Sequence, residues 1–255
     1  MTKTYLISGG SGFIGSNLIN TLLQNKNNTV INIDKLTYAS NEKFTSHKKN
    51  SSYKFFKNDI NDKIAIKKII SQLKPDYILH LAAESHVDRS IDNPESFIYT
   101  NILGTYNLIT TAYDYWLSLT PKKKKSFRFI MVSTDEVYGS LNNKKKKFSE
   151  ESHYRPNSPY AASKASADLI TRSWFKTYGF PIITTNTSNN YGPWQFPEKL
   201  IPLTINKCTR NEKIPVYGAG NQIRDWIHVD DNVSALLFII KNGKIGEKYN
   251  ICSCN

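Results

Sequence analysis

No apolar run in these 255 residues approaches the ~20 that a bilayer span requires, so no membrane-spanning segment is expected. The amino terminus, MTKTYLISGG, lacks the long apolar core and small-residue cleavage site of a signal peptide, and the default expectation is a cytoplasmic protein. Cysteine is scarce. Cys208, Cys252 and Cys254 are too few and too oddly counted for a disulfide framework, which agrees with a reducing compartment, and no metal site is expected. Acidic residues are also in short supply, 21 against 34 Lys and Arg, giving a net charge of +13. Such a surface attracts phosphate backbones. Much of the excess, however, sits in two lysine runs, Lys122 to Lys125 and Lys144 to Lys147, without aromatics between them to stack bases. Both runs are expected to be solvated loops, and nucleic acid is not expected as a partner.

What is present is a rhythm. Short β-branched runs (TYLIS, TVINI, YKFF, DYILHL, FRFIMVS, PIITTN) alternate with helical spacing over 13–25, 62–73, 95–118 and 159–178. Asp62, Asn93 and Ser158 stand at plausible helix starts, and Pro94 and Pro159 suit first-turn positions. This predicts an α/β, Rossmann-like doubly wound parallel sheet. A 255-residue chain can build one large core or two small ones, and nothing resembles an interdomain linker.

Gly9, Gly12 and Gly15 follow the first strand and open a helix, and Asp34 closes the second strand. In that context the glycines let backbone N–H groups face a pyrophosphate, and the acid can accept from a ribose hydroxyl. Asp34 favours NAD by repelling a 2′-phosphate, although Lys35 beside it keeps NADP open. Asp59, after the third strand, could reach adenine, and the small residues after His80 (Leu81, Ala82, Ala83) let a cofactor lie against backbone.

Farther along, Thr134 ends a buried strand and is followed by adjacent acids, Asp135 and Glu136. Like charges side by side are costly to desolvate, which suggests chemistry. Tyr160 and Lys164, one helical turn apart, share a face, so the ammonium is expected to favour the phenolate and make Tyr160 a usable base. A solvated turn for the acids and a bland amphipathic helix for the Tyr/Lys pair are the alternative readings.

These residues resemble the extended short-chain dehydrogenase/reductases. Within that family, DKLTYASN (34–41), LAAESHVDRSI (81–91), STDEVYG (133–139), SPYAASKA (158–165), SNNYGPWQFPEKLIPL (188–203) and GNQIRDWIHVDD (220–231) look like the dTDP-glucose 4,6-dehydratase group. The resemblance implies resident NAD held by Gly9, Gly12, Phe13, Ile14, Gly15, Asp34, Lys35, Leu36, Thr37, Asp59, Ile60, Leu81, Ala82, Ala83, Ser85, Thr100, Tyr160 and Lys164. It implies a sugar-nucleotide substrate contacted by Ser85, Thr134, Asn189, Glu198, Lys199, Leu200, Tyr217 and Arg224. Tyr160, with Thr134 and Lys164, would take the 4-hydroxyl proton as hydride leaves C4. Glu136 would remove the C5 proton and Asp135 would protonate the departing C6 hydroxyl. Hydride would then return to C6, giving a 4-keto-6-deoxy sugar on the way to rhamnose and other deoxysugars.

UDP-glucose dehydratases share the acid pair, so dTDP and UDP both stay open. A sugar 4-epimerase and a non-enzymatic NAD-loaded protein are the rival readings. A homodimer through helices 95–118 and 159–178 is implied by analogy. The expected division is an NAD-binding part, 1–190 rejoined by 229–250, and part of a substrate lobe, 191–228. Relatives continue beyond 255, so this lobe is expected to be small and incomplete. The departures are Ser8 for Thr, Trp194 for Tyr, and Cys252 and Cys254 where a glycine pair is usual.

Overall fold

A computed structural model describes residues 2–40, 50–141, 147–216 and 218–253. Seven strands form one parallel sheet: β1 (Lys3–Ser8), β2 (Asn28–Asp34), β3 (Tyr53–Lys57), β4 (Tyr77–His80), β5 (Arg128–Thr134), β6 (Ile182–Thr187) and β9 (Lys248–Ile251). The order is β3-β2-β1-β4-β5-β6-β9. Winding reverses between β1 and β4, which opens a crevice at the strands' carboxyl ends, where α/β sheets take their ligands. A two-stranded parallel pair, β7 (Asn189–Tyr191) and β8 (Trp226–His228), lies beyond the sheet.

The core strands are apolar on both faces, as a sheet covered on both sides must be. On one side, α1 (Phe13–Leu23) and α9 (Val229–Asn242) bury Leu18, Leu22, Val233 and Leu236 against Ile7, Val30 and Ile130. On the other, α2 (Lys63–Leu73), α5 (Thr105–Leu117) and α7 (Pro159–Tyr178) bury Ile66, Ile70, Leu108 and Ala167 against Leu6, Ile31 and Phe129. Ser158 caps α7 by accepting from the Ala161 N–H, with Pro159 in the first turn, and Asp62 caps α2 through the Ala65 N–H. No helix among the described residues is long and apolar enough to cross a membrane.

Two sequence expectations differ from the structure. The helix expected over 95–118 follows a separate short helix, α3 (Val87–Asp92), and is built in pieces, α4 (Pro94–Phe97), a π-helical stretch Ile98–Gly104, and then α5. Wider π winding shifts the helical phase and carries Thr100, Asn101 and Gly104 inward. Asn101 then bonds Ser163 Oγ of α7 at 2.8 Å and the Glu84 carbonyl at 3.0 Å. The first lysine run is not a loop but a short exposed helix, α6 (Pro121–Ser126), with Lys124 lying 5.4 Å from the centre of the Trp116 ring. Most of the second run, and Cys254, lie outside the described residues.

Candidate active site

The nucleotide end of the crevice follows from the first turn. At Gly9 the chain has φ +76, and a Cβ there would stand 2.5 Å from the Ala82 nitrogen; glycine lets the β1 and β4 ends meet. Gly12 caps α1 without a side-chain bond, and the first turn holds no acid, so the leading N–H groups of α1 are left for an anion. Gly9, Gly12, Phe13, Ile14 and Gly15 line the crevice, with Leu81, Ala82 and Ala83 opposite and Asp34, Lys35, Thr37, Asp59, Ile60, Ser85 and Thr100 along it. This open helix end and acid-tipped second strand fit a dinucleotide.

The buried Asp34 carboxylate accepts from Ser11 N at 2.9 Å, Leu36 N at 2.8 Å and Ser40 Oγ at 3.2 Å. Leu36 acts through its backbone, at φ 61, and its side chain is not part of the crevice wall. Lys35 is held by Thr100 Oγ1 at 3.2 Å, Glu84 at 3.5 Å and Asp59 at 3.8 Å. A cation already matched by two acids is a poor receptor for a 2′-phosphate, so the surroundings of Lys35 lean to NAD.

At the chemical end, Thr134 stops β5 and caps a 3-10 turn, Asp135–Tyr138. Its hydroxyl accepts from Glu136 N at 3.2 Å and faces Asp135 Oδ1 at 3.3 Å as donor. Gly139 ends this turn at φ +85, where a Cβ would lie 2.1 Å from the Arg155 carbonyl. The tight turn buries Val137 and Tyr138 and leaves both acids on the crevice. Burial pushes the Asp135 carboxyl up to about 6, against the Thr134 hydroxyl and the Arg224 charge. Glu136 is also raised, first by burial and then by Asp135.

Tyr160, Lys164 and Asn189 complete the wall. Burial raises the Tyr160 phenol, the Glu136 and Asp135 charges raise it further, and the Thr134 hydroxyl favours its phenolate. The expectation that the Lys164 ammonium lowers Tyr160 is overturned: burial and the acids hold the phenol above its ordinary range, and the Thr134 hydroxyl, not Lys164, is what favours the phenolate. The Lys164 ammonium is directed at the Val132 carbonyl, 2.8 Å away, and burial lowers it to about 8. Lys199 also lines the crevice, donating to the Ser85 carbonyl at 3.3 Å, and burial lowers it while Glu198 and Glu136 raise it.

Other expected substrate contacts stand elsewhere. Glu198 is outside the wall, paired with Arg89 at 3.2 Å and His86 at 3.5 Å. Arg89 in turn lies 3.6 Å from the centre of the Tyr38 ring, and Tyr38 meets Phe196 edge-on at 5.6 Å, which clasps the PEKL loop over the crevice. Leu200, half exposed at the start of α8 (Leu200–Thr209), is also off the wall. Arg224 is exposed and off the wall, though its charge reaches both acids; its neighbour Asp225 is taken by the Ser253 N–H and hydroxyl. Tyr217 lies outside the described residues. Sequence reasoning missed Ser188, Asn190 and Gln195 as wall residues. The polar run SNNY directly after β6 was the available signal.

A doubly wound sheet with this glycine turn, Tyr/Lys helix and acid-bearing strand end defines a dinucleotide-dependent enzyme of the short-chain dehydrogenase/reductase class. Residues 6–255 match the GDP-mannose 4,6-dehydratase family, and the chain belongs to it. It is 50% identical to the dTDP-glucose 4,6-dehydratase of Shigella flexneri over 96% of this chain and 71% of that protein. With the Escherichia coli enzyme of the same name, identity is 51% over 96% of this chain and 70% of that one. Among solved structures, dTDP-glucose 4,6-dehydratase from Bacillus anthracis in complex with NAD superposes with a TM-score of 0.89 at 40% identity, covering 100% of this chain and 76% of that one.

Proposed function

We propose that this chain is an NAD-dependent hydro-lyase that converts dTDP-glucose to dTDP-4-keto-6-deoxyglucose. The observation that carries the reading is the acid pair on the β5 end, facing Tyr160 across the same crevice. A 4-epimerase needs a base at the 4-hydroxyl but no acid and base for a C5–C6 elimination. The relatives of the same name at about half identity support the substrate.

NAD, held by the α1 end and Asp34, supplies reversible hydride acceptance from C4 and return to C6. Tyr160 takes the 4-hydroxyl proton, with Thr134 favouring its phenolate. The resulting 4-ketone acidifies C5. Glu136 then removes the C5 proton, and Asp135 gives a proton to the C6 hydroxyl, which leaves as water. Asp135, raised to about 6 by burial, keeps a protonated fraction near neutrality, as a general acid must. Glu136 returns its proton to C5, and the proton taken by Tyr160 restores Asp135, so sugar minus water is the whole balance.

Asn189 and Lys199 on the wall are assigned to the sugar nucleotide, with Arg224 acting on the acids by charge. The residues 1–190 with 229–250 form the NAD-binding part and 191–228 part of the substrate lobe. The assembly is a homodimer, supported by the apolar side chains Ile98, Leu103, Tyr106 and Leu169 left exposed on the adjoining π stretch, α5 and α7. A cytoplasmic setting accords with a chain that carries only three cysteines. Mass analysis of the sugar nucleotide after incubation with NAD tests the activity: an 18 Da loss supports it, and an unchanged mass with an inverted C4 would mark an epimerase.

A further inference from the structure

Asp168 lies on α7 one turn beyond Lys164 and two beyond Tyr160, and no step above uses it. It is 3% exposed and Lys164 4% exposed. An isolated buried carboxylate is costly, so what surrounds this one decides its role. Oδ2 accepts from Tyr154 Oη at 3.0 Å and from Asn186 Nδ2 at 3.1 Å. Asn186 Nδ2 also bonds the Thr134 carbonyl at 3.1 Å. Asp168 thereby ties the helix that carries Tyr160 and Lys164 to the strand end that carries Thr134 and the acids. Its other oxygen, Oδ1, is buried beside the Ser133 hydroxyl, which favours the carboxylate form as a hydrogen-bond donor. A carboxylate this deeply buried also needs a nearby cation, and Lys164 supplies it through space.

We propose that Asp168 is a positioning residue: it keeps the buried Lys164 a cation and fixes the Tyr160 helix against the Thr134 strand end. The need is mutual. Burial lowers Lys164, and Asp168 is the charge that acts in the other direction; burial raises Asp168 to about 6, and Lys164 is the first influence against it. The other titratable groups that feel Asp168 are Tyr154, Tyr138 on the 3-10 turn, Tyr160 on α7 and Lys248 on β9. The tyrosines, pushed above their ordinary range, carry no positive charge, which leaves Lys164 and Lys248 as its cations. Lys248 is the more exposed, over the rings of Tyr154 and Tyr138 at 4.8 and 5.3 Å, so the buried balance rests on Lys164.

This inference rests on the dehydratase reading only for its consequence in catalysis, and its test needs no turnover. The full chain is labelled with 13C at the lysine ε-carbon, and the Lys164 signal, assigned by its loss in Lys164→Met, is titrated in the chain alone, without added cofactor or sugar. In Asp168→Asn the midpoint should fall by about one unit or more, while Tyr154→Phe, which removes a hydrogen bond but keeps the carboxylate, should leave it close to the parent. An unmoved midpoint in folded Asp168→Asn, or equal shifts in both variants, would overturn the proposal by reducing Asp168 to a structural anchor. Should Asp168→Asn not fold, the parent decides: the Lys164 carbon must report a second, smaller step as Asp168 ionises, and a single-step curve overturns the claim. A chain that titrates as expected but removes no water refutes the dehydratase reading and leaves this one standing.

Discussion

Asp135 is asked to keep its proton near neutrality and to sit in a turn that exposes it to the sugar. Its carboxyl is raised from 3.8 to about 6, mainly by burial. The folded chain therefore binds more protons than the unfolded one between those values, so this group lowers stability as pH rises through 6. Asp135→Asn should accordingly be more stable than the parent at pH 7.5, by ~1–3 kcal/mol, and no more stable near pH 3, a difference readable as Tm at the two pH values. The same variant should lose ~10²–10⁴-fold in the rate of water loss. In the parent, a rate limited by protonation of the C6 hydroxyl should fall as pH rises above about 6, because the acid form of Asp135 is lost there. Glu136→Gln separates the steps: C4 oxidation continues, seen as reduced cofactor at 340 nm, while water loss falls by a comparable factor.

At the scale of elements, the β1 turn and the β5 exit do the positioning. Gly9→Ala forces a Cβ onto the Ala82 backbone at a positive φ, with no flexible side chain to give way. NAD binding should weaken by at least ~tenfold, as read by calorimetry, with melting lowered in the same variant. The strand and glycine pattern was legible in the sequence because both faces of the sheet are covered and the central strands β1, β4 and β5 carry continuous apolar runs. The π stretch was not, since its phase shift exists only to bring Asn101 to Ser163 on another helix. Glu198 was read as a sugar contact from its place in PEKL; its neighbours in the structure, Arg89 and His86, arrive from the start of α3 more than a hundred residues earlier, and no local pattern announces that pairing. Lys164 shows the same limit: spacing put it beside Tyr160, but only the β5 backbone explains where its ammonium points.

For the whole molecule, the half-exposed Leu169 and its apolar neighbours on the π stretch and α5 form a face that two copies could share. Leu169→Glu should shift the sedimentation of a dimer towards monomer without changing NAD affinity, because the Leu169 side chain does not line the crevice; a parent that sediments as a monomer contradicts the assembly. The central claim is dehydration itself. Purified chain, NAD and either dTDP-glucose or UDP-glucose would be incubated together and the sugar nucleotide weighed. The account predicts loss of one water from dTDP-glucose in preference to UDP-glucose, abolished in the double variant Asp135→Asn, Glu136→Gln. Intact mass with both sugars, in a chain that binds NAD, would contradict it.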